Sequence, residues 1–192
     1  MKEKTRCAWC LKSNEPIYIT YHDKEWGVPQ HNDDKLFEAI ILDAFQAGLS
    51  WLTILKRREN FRKTFDNFDA EKIARYNEKR IQKLLKDEGI IRNQLKIRAA
   101  VTNAQSFLKL QEEYGTFDKY IWQFTEGKTI LNAHKEMKHI PPKTKESDLM
   151  SKDLQAKGFK FVGSTICYAF MQAVGMVNDH VTDCFRYKEV LK

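Results

Sequence analysis

The sequence predicts a mostly α-helical protein, and three observations carry that reading. Apolar residues recur at helical spacing along most of the chain, Asn, Asp and Ser residues stand where such stretches begin, and strand-like character is confined to Ile17–Tyr21. Glycine (8) and proline (4) are sparse, and neither a repeat nor a low-complexity linker divides the chain. The 192 residues therefore read as a single unit, two helical lobes sharing one core, with irregular terminal segments.

The first long helix runs from Lys35 to Ala47, where Leu36, Phe37, Ile40, Ile41 and Ala44 form the buried stripe; Asn32 or Asp33 caps its start and Gly48 ends it. Ser50 caps a second helix over 51–65, whose basic Lys56, Arg57 and Arg58 must lie outside the core. Asp69 opens a short helix through Tyr76. Asn77 then caps a helix that turns Ile81, Leu84 and Leu85 inward, and Asn93 caps a longer one reaching about Glu113. Only a short glycine-bearing connection, with Gly89, Ile90, Ile91 and Arg92, lies between these two. It reads either as an ordinary turn or as a hairpin whose backbone N–H groups hold a phosphate, with Arg92, Lys96 and Arg98 at hand. A short helix over 117–124 follows, then a polar, Lys-bearing loop from Gly127 to Pro142. A capped helix from Ser147 to Lys157 comes next, and last a helix from Ser164 to Val174 that is apolar nearly all round and hence central.

Composition narrows the function. Lys and Arg number 33 against 26 Asp and Glu, so 33 − 26 leaves +7 and a pI near 9.1. That excess favours a polyanionic partner without identifying one. With 42% hydrophobic residues the chain can bury a core, which excludes global disorder. No apolar run approaches the roughly 18 residues of a bilayer span, and the charged Met1–Arg6 segment has no apolar stretch behind it, so the expectation is a cytoplasmic protein with no membrane association.

Three constellations carry chemistry. Cys7 and Cys10 stand near the N-terminus and His180 and Cys184, one helical turn apart, near the C-terminus; with His22 they offer a Cys₃His or a Cys₂His₂ metal set that would tie the chain ends together. Spacing leaves both sets open, and a closed four-ligand site is structural rather than hydrolytic. Trp9, Tyr18, Tyr21, Trp26 and Trp51 form an aromatic cluster, either core or a stacking pocket for a planar base. Asp43 sits at the edge of the buried stripe, one turn from Ala39, Ile40, Gln46 and Ala47. There it needs a protein donor or a ligand that presents N–H groups. Finally, the break Gln46–Trp51 places Gly48 and an apolar Leu49 at a tight tip, suited either to packing or to prying a base from its stack.

These residues carry a resemblance that spans nearly the whole chain. From Cys7 and Trp9 through Tyr18–Val28, Gln46–Trp51, Gly89–Arg92 and Gly158–Gly163 to Asn178–His180 and Cys184, the sequence resembles the type I DNA-3-methyladenine glycosylase family, a helix-hairpin-helix group. The resemblance implies a helix-hairpin-helix DNA glycosylase fold with one structural Zn²⁺ per chain joining the N- and C-terminal segments, held by Cys7, His22, His180 and Cys184, with Cys10 a bystander. It also implies a base pocket of Trp9, Tyr18, Tyr21 and Trp51 with Asp43 as the acidic recognition residue, where the family usually has Glu. Gly48, Leu49, Arg57, Gly89 and Arg92 fall at the positions expected to meet DNA. The implied activity is hydrolysis of the N-glycosidic bond of 3-methyladenine in alkylated double-stranded DNA by a monomer, with free 3-methyladenine and an abasic site as products. The contrasting reading is a non-catalytic, zinc-stapled helical DNA-binding module, which would have no use for a deep pocket.

Overall fold

The computed structural model describes residues 4–190. It contains helices α1 (Ala8–Leu11), α2 (Pro16–Lys24), α3 (Asp33–Gln46), α4 (Trp51–Leu55), α5 (Arg58–Thr64) and α6 (Ala70–Ala74). These are followed by α7 (Glu78–Leu84), α8 (Gln94–Tyr114), α9 (Phe117–Trp122), α10 (Lys145–Ala156), α11 (Ser164–Ala173) and α12 (Arg186–Glu189). Two short strands, β1 (Ile130–Leu131) and β2 (Val177–Asn178), pair in parallel. Met1–Glu3, part of the charged N-terminal stretch, lie outside the described residues.

α3 is the axis of the molecule. Asn32 accepts a bond from the Lys35 N–H at its start, Asp33 and Asp34 complement the helix dipole, and nine of its residues from Leu36 to Phe45 are buried. It packs against α8, α9 and α11. One hydrophobic core runs from Leu36 to Val177, and a smaller cluster of Cys7, Tyr21, Trp26, Leu55, Val181 and Cys184 joins the two ends of the chain.

Four expected boundaries change. Ile17–Tyr21 is helical rather than extended: Pro16 sits at the favourable first helical position, and a helix turns Tyr18, Tyr21 and His22 to one face against Trp9. Tertiary packing thus overrides the strand propensity of a short β-branched and aromatic run. The helix expected over 51–65 breaks at Lys56 and Arg57 into α4 and α5. α10 starts earlier than Ser147, because Thr144 is its cap and Ser147 closes a reciprocal capping box. The loop from Gly127 to Pro142 contains β1, which pairs with a strand that follows α11.

The connection between α7 and α8 is short, as expected. Asp87 accepts from the Gly89 N–H at 2.8 Å and Asn93 caps the Lys96 N–H at 3.1 Å. Among the described residues the N–H groups of Ile91 and Arg92 have no partner.

Candidate base pocket and metal centre

Trp9 from α1, Tyr18 and Tyr21 from α2, Asp43 and Gln46 from α3 and Trp51 from α4 line one cavity of about 240 Å³, closed on its other side by Trp26, Met137, Ile140, Ala169, Gln172 and Ala173. This is below the roughly 300–1,000 Å³ of sites for drug-sized ligands, so it suits one planar ring rather than a whole nucleotide. The aromatic rings brace one another: Trp9 lies edge-on at 4.8 Å from Tyr18 and 5.1 Å from Trp26, and Tyr21 lies tilted at 5.3 Å from Trp51. Every aromatic and acidic residue assigned to a pocket from the sequence therefore meets in one place.

The polar atoms here are unusual. Asp43 is 2% exposed and its Oδ2 is buried with no hydrogen-bond partner among the described residues, and the Nε1 groups of Trp9 and Trp51 are in the same condition. Buried orphans cost about 1–3 kcal/mol each, so three on the residues lining one cavity mark it as a candidate ligand site. Burial pushes the Asp43 carboxyl well above the usual carboxylate range by disfavouring its charged form. Burial likewise raises Tyr21, reinforced by the charge of Asp43, so its phenol stays neutral.

Sequence reasoning missed the far wall. Met137 and Ile140 come from the stretch read as a polar loop, and Ala169 and Gln172 come from α11, read simply as core. Gln172 did leave a signal, as the long polar side chain on an otherwise apolar helix. Its Nε2 donates to buried Asp179 at 2.7 Å, and Asp179 also accepts from Tyr168 and Asn132.

Beside the cavity, Cys7, His22, His180 and Cys184 converge, all buried, with ligand atoms within 4.8 Å of one another. Cys7 Sγ lies 3.6 Å from His180 Nδ1, and Cys184 Sγ lies 3.5 Å from His22 Nε2 and 3.6 Å from His180 Nδ1. A tetrahedral ion with sulfur at 2.3 Å and nitrogen at 2.0–2.1 Å separates S from N by about 3.5 Å, so the donor set fits a metal ion. The outer ring nitrogens are held as metal-bound histidines require: His22 Nδ1 meets Asp23 Oδ1 at 2.8 Å and His180 Nε2 meets the Trp26 carbonyl at 3.0 Å. Arg6 clamps Asp23 in turn through Nε and Nη2. The mutual interaction of the two neighbouring thiols drives Cys7 up and Cys184 down. Cys10 stands apart from the set, its thiol donating to the Cys7 carbonyl. The alternative Cys₃His set is therefore not the one assembled.

At the lip of the cavity, Gln46 to Leu49 form a tight turn closed by the Leu49 N–H on the Gln46 carbonyl at 2.6 Å. Ala47 has φ −45° and ψ 114° and Gly48 has φ +79°, the pattern of a type II turn, whose third position requires positive φ. Leu49 is 40% exposed at the tip. The basic residues are less free than their number suggests. Lys56 pairs with Glu15, Arg58 with Glu25, Arg98 with Glu78, and Arg92 loosely with Glu88. Arg57 has no acidic partner among the described residues and lies just beyond α4. Lys96 is a correction: it is buried, and its ammonium meets backbone carbonyls rather than standing ready for a phosphate.

A helical chain that gathers two Cys and two His from its two ends, beside a ring-sized aromatic cavity that ends on a buried acid, has the build of a protein that takes in a single base. Comparison with known proteins agrees. Residues 9–187 match the methyladenine glycosylase family, and the chain belongs to it. It is 47% identical over 182 residues to DNA-3-methyladenine glycosylase 1 of Escherichia coli, covering 95% of this chain and 96% of the relative. The crystal structure of a 3-methyladenine DNA glycosylase I superposes with a TM-score of 0.91 at 47% identity, covering 94% of this chain and 98% of the other. A 3-methyladenine DNA glycosylase I from Staphylococcus aureus, solved to explain 3-methyladenine recognition, has a TM-score of 0.89 at 34% identity, covering 92% and 94%. Among the described residues, no helix is long and apolar enough to cross a membrane.

Proposed function

We infer that this chain releases 3-methyladenine from alkylated double-stranded DNA by hydrolysing its N-glycosidic bond, opening base-excision repair and leaving an abasic site. The observation that carries the reading is the trio of unpartnered polar atoms, one acceptor on Asp43 and two donors on Trp9 and Trp51, around an aromatic cavity of ring size. Methylation at N3 makes the base in DNA a cation. When the C1′–N9 bond breaks, its electron pair neutralises that cation, so the base leaves readily and water completes the bond to C1′ while losing its proton. The protein's task is then to select, extrude and hold the base. Trp9, Tyr18, Tyr21 and Trp51 favour a cationic ring through their faces, and Asp43 accepts from the base N–H groups and complements its charge. A base presenting donors and positive charge returns Asp43 to its ionised form, the state that burial alone disfavours.

DNA grip follows from three elements. Leu49, carried by the Gly48 turn, fills the gap the flipped base leaves. The helix-hairpin-helix unit formed by α7, residues 85–93 and α8 offers the Ile91 and Arg92 N–H groups to a phosphate, with Gly89 making room for Asn60 and Asp87 so that the hairpin can close, and Arg57 and Arg92 adding charge. The surface pairing of Arg92 is worth little and exchanges readily for a phosphate.

Zinc is the ion the Cys₂His₂ set suits, one per chain, bound by Cys7, His22, His180 and Cys184. Held by these four residues, it would supply folding stability by tying α1 and α2 to the C-terminal segment. Four protein ligands would leave it no open position for water, so the hydrolysis is assigned to the pocket. The chain is assigned as one glycosylase unit acting as a monomer in the cytoplasm.

The test is a base-release assay on methylated duplex DNA that resolves each freed base. Wild type is expected to free 3-methyladenine, and Asp43→Ala or Trp51→Ala to lose most of that release. Protein that binds DNA yet frees no base would instead establish the non-catalytic DNA-binding reading.

A further inference from the structure

Of Arg92, Lys96 and Arg98 around the hairpin, Lys96 is the one that the fold removes from solvent, at 8% exposure. Its Nζ donates to the Phe45 carbonyl at 2.8 Å and to the Ala47 carbonyl. These are orphan acceptors at the C-terminal end of α3, where a cation is also favoured by the dipole. The Ala47 carbonyl has a second meaning. It belongs to the peptide between the two central residues of the Gln46–Leu49 turn, and type I and type II turns differ chiefly by a rotation of about 180° of that peptide. A donor fixed on this carbonyl selects the type II form, the one that Gly48 at φ +79° already permits. Gly48 itself has no atom within 4 Å of where a Cβ would stand, so packing around it does not hold the turn. Lys96 also lies two residues into α8, directly after the 89–93 connection, with its own N–H capped by Asn93.

We propose that Lys96 is a positioning residue for base extrusion: its buried ammonium locks the Gly48–Leu49 tip in its type II form and fixes that tip relative to the hairpin that grips the backbone. It acts through the turn and touches neither base nor phosphate. The assignment rests on the glycosylase reading above, in which Leu49 enters the duplex. A tip left free to rotate would still leave the pocket intact, so the defect should fall on lesions that must be pried from a stacked duplex and spare those already unstacked.

The experiment compares wild type, Lys96→Met, Lys96→Arg and Gly48→Ala in single-turnover release of 3-methyladenine from an intact duplex and from the same lesion in single-stranded DNA, with circular dichroism to establish folding. Free 3-methyladenine binding is followed by the fluorescence of the pocket tryptophans. Lys96→Met is expected to lose on the order of 10- to 100-fold on the duplex, the scale of a displaced positioning element, but less than about threefold on the single strand. Free-base affinity should be unchanged, and Lys96→Arg, which keeps the charge, should recover part of the loss. Gly48→Ala should reproduce the duplex-selective defect from the other side of the turn, and the double variant should lose less than the product of the two single losses. Should Lys96→Met not fold, Lys96→Arg and Gly48→Ala carry the same comparison. Equal losses on both substrates, or no loss, would overturn the proposal. So would a fall of about one in the salt slope of DNA binding, which would make Lys96 a phosphate contact. Wild type that frees no base from either substrate would count against the glycosylase reading instead.

Discussion

Asp43 lies 2% exposed with one oxygen unpartnered among the described residues, and burial holds its carboxyl well above the ordinary value, so the fold carries its charged form at a cost. The sign of the resulting pH dependence is fixed by linkage. Unfolded, the group titrates near the ordinary value of about 4; folded, it keeps its proton to higher pH. Its stabilising contribution is therefore complete below the ordinary value and drains away as pH rises through the raised one. Asp43→Asn has no proton to lose, and thermal melts against pH should find it level with wild type in acid but more stable at neutral pH. The same variant should bind free 3-methyladenine more weakly, since an amide oxygen is a weaker acceptor for the base N–H groups than a carboxylate. A melting difference of the opposite sign would mean that Asp43 has a stabilising partner in the folded protein. Function and stability are opposed at this side chain, as expected where a ligand supplies the missing contacts.

At the scale of elements, the turn after α3 shows how little sequence is needed to build a tool. Gln46 closes it, Gly48 supplies positive φ, Leu49 projects, and Ser50 caps α4 by accepting from the Thr53 N–H. Gly48→Ala places a Cβ in open space, so its cost is backbone strain alone, about 1–2 kcal/mol. For a chain of this size a fall of roughly 2–8 °C in Tm is expected by calorimetry. Leu49→Ala, by contrast, removes a half-exposed side chain and should change stability by no more than about 0.5 kcal/mol. It should nonetheless slow release from duplex DNA while leaving free-base binding intact, a separation that a packing role for Leu49 would not produce. The elements also mark where local reading stops. The caps at Asn32, Ser50, Asp69, Asn77 and Asn93 were legible because capping is a contact within four residues. Ile17–Tyr21 was not, because its helix is favoured by Trp9 and by the metal-ligand cluster, which local propensity does not register.

Across the whole molecule, the Cys₂His₂ cluster joins residues 7 and 22 to residues 180 and 184 and so closes nearly the full length of the chain. α1 and α2, which carry Trp9, Tyr18 and Tyr21, pack mainly on the small cluster around that centre. Removing the metal should thus loosen one wall of the pocket as well as lower stability. Elemental analysis is expected to find one zinc per chain. Chelation should lower Tm by on the order of 10 °C or more and weaken base binding together with it. Cys184→Ser should do the same, whereas Cys10→Ser, outside the set, should retain both metal and activity. Loss of the metal on Cys10→Ser would reassign the ligands.

Composition, periodicity and capping by themselves determined that the chain is helical, where most helices begin, and which aromatic, acidic and metal-binding side chains needed an explanation, because each of those is a property of a residue and its near neighbours. The tertiary structure decided what depends on distance across the chain. It chose Cys₂His₂ over Cys₃His by turning the Cys10 thiol back onto the Cys7 carbonyl, brought Gln172, Met137 and Ile140 to the far wall, and withdrew Lys96 from solvent onto the end of α3. Sequence spacing could not settle these, since a buried carbonyl or an open lone pair becomes a partner only when packing brings it within hydrogen-bond reach.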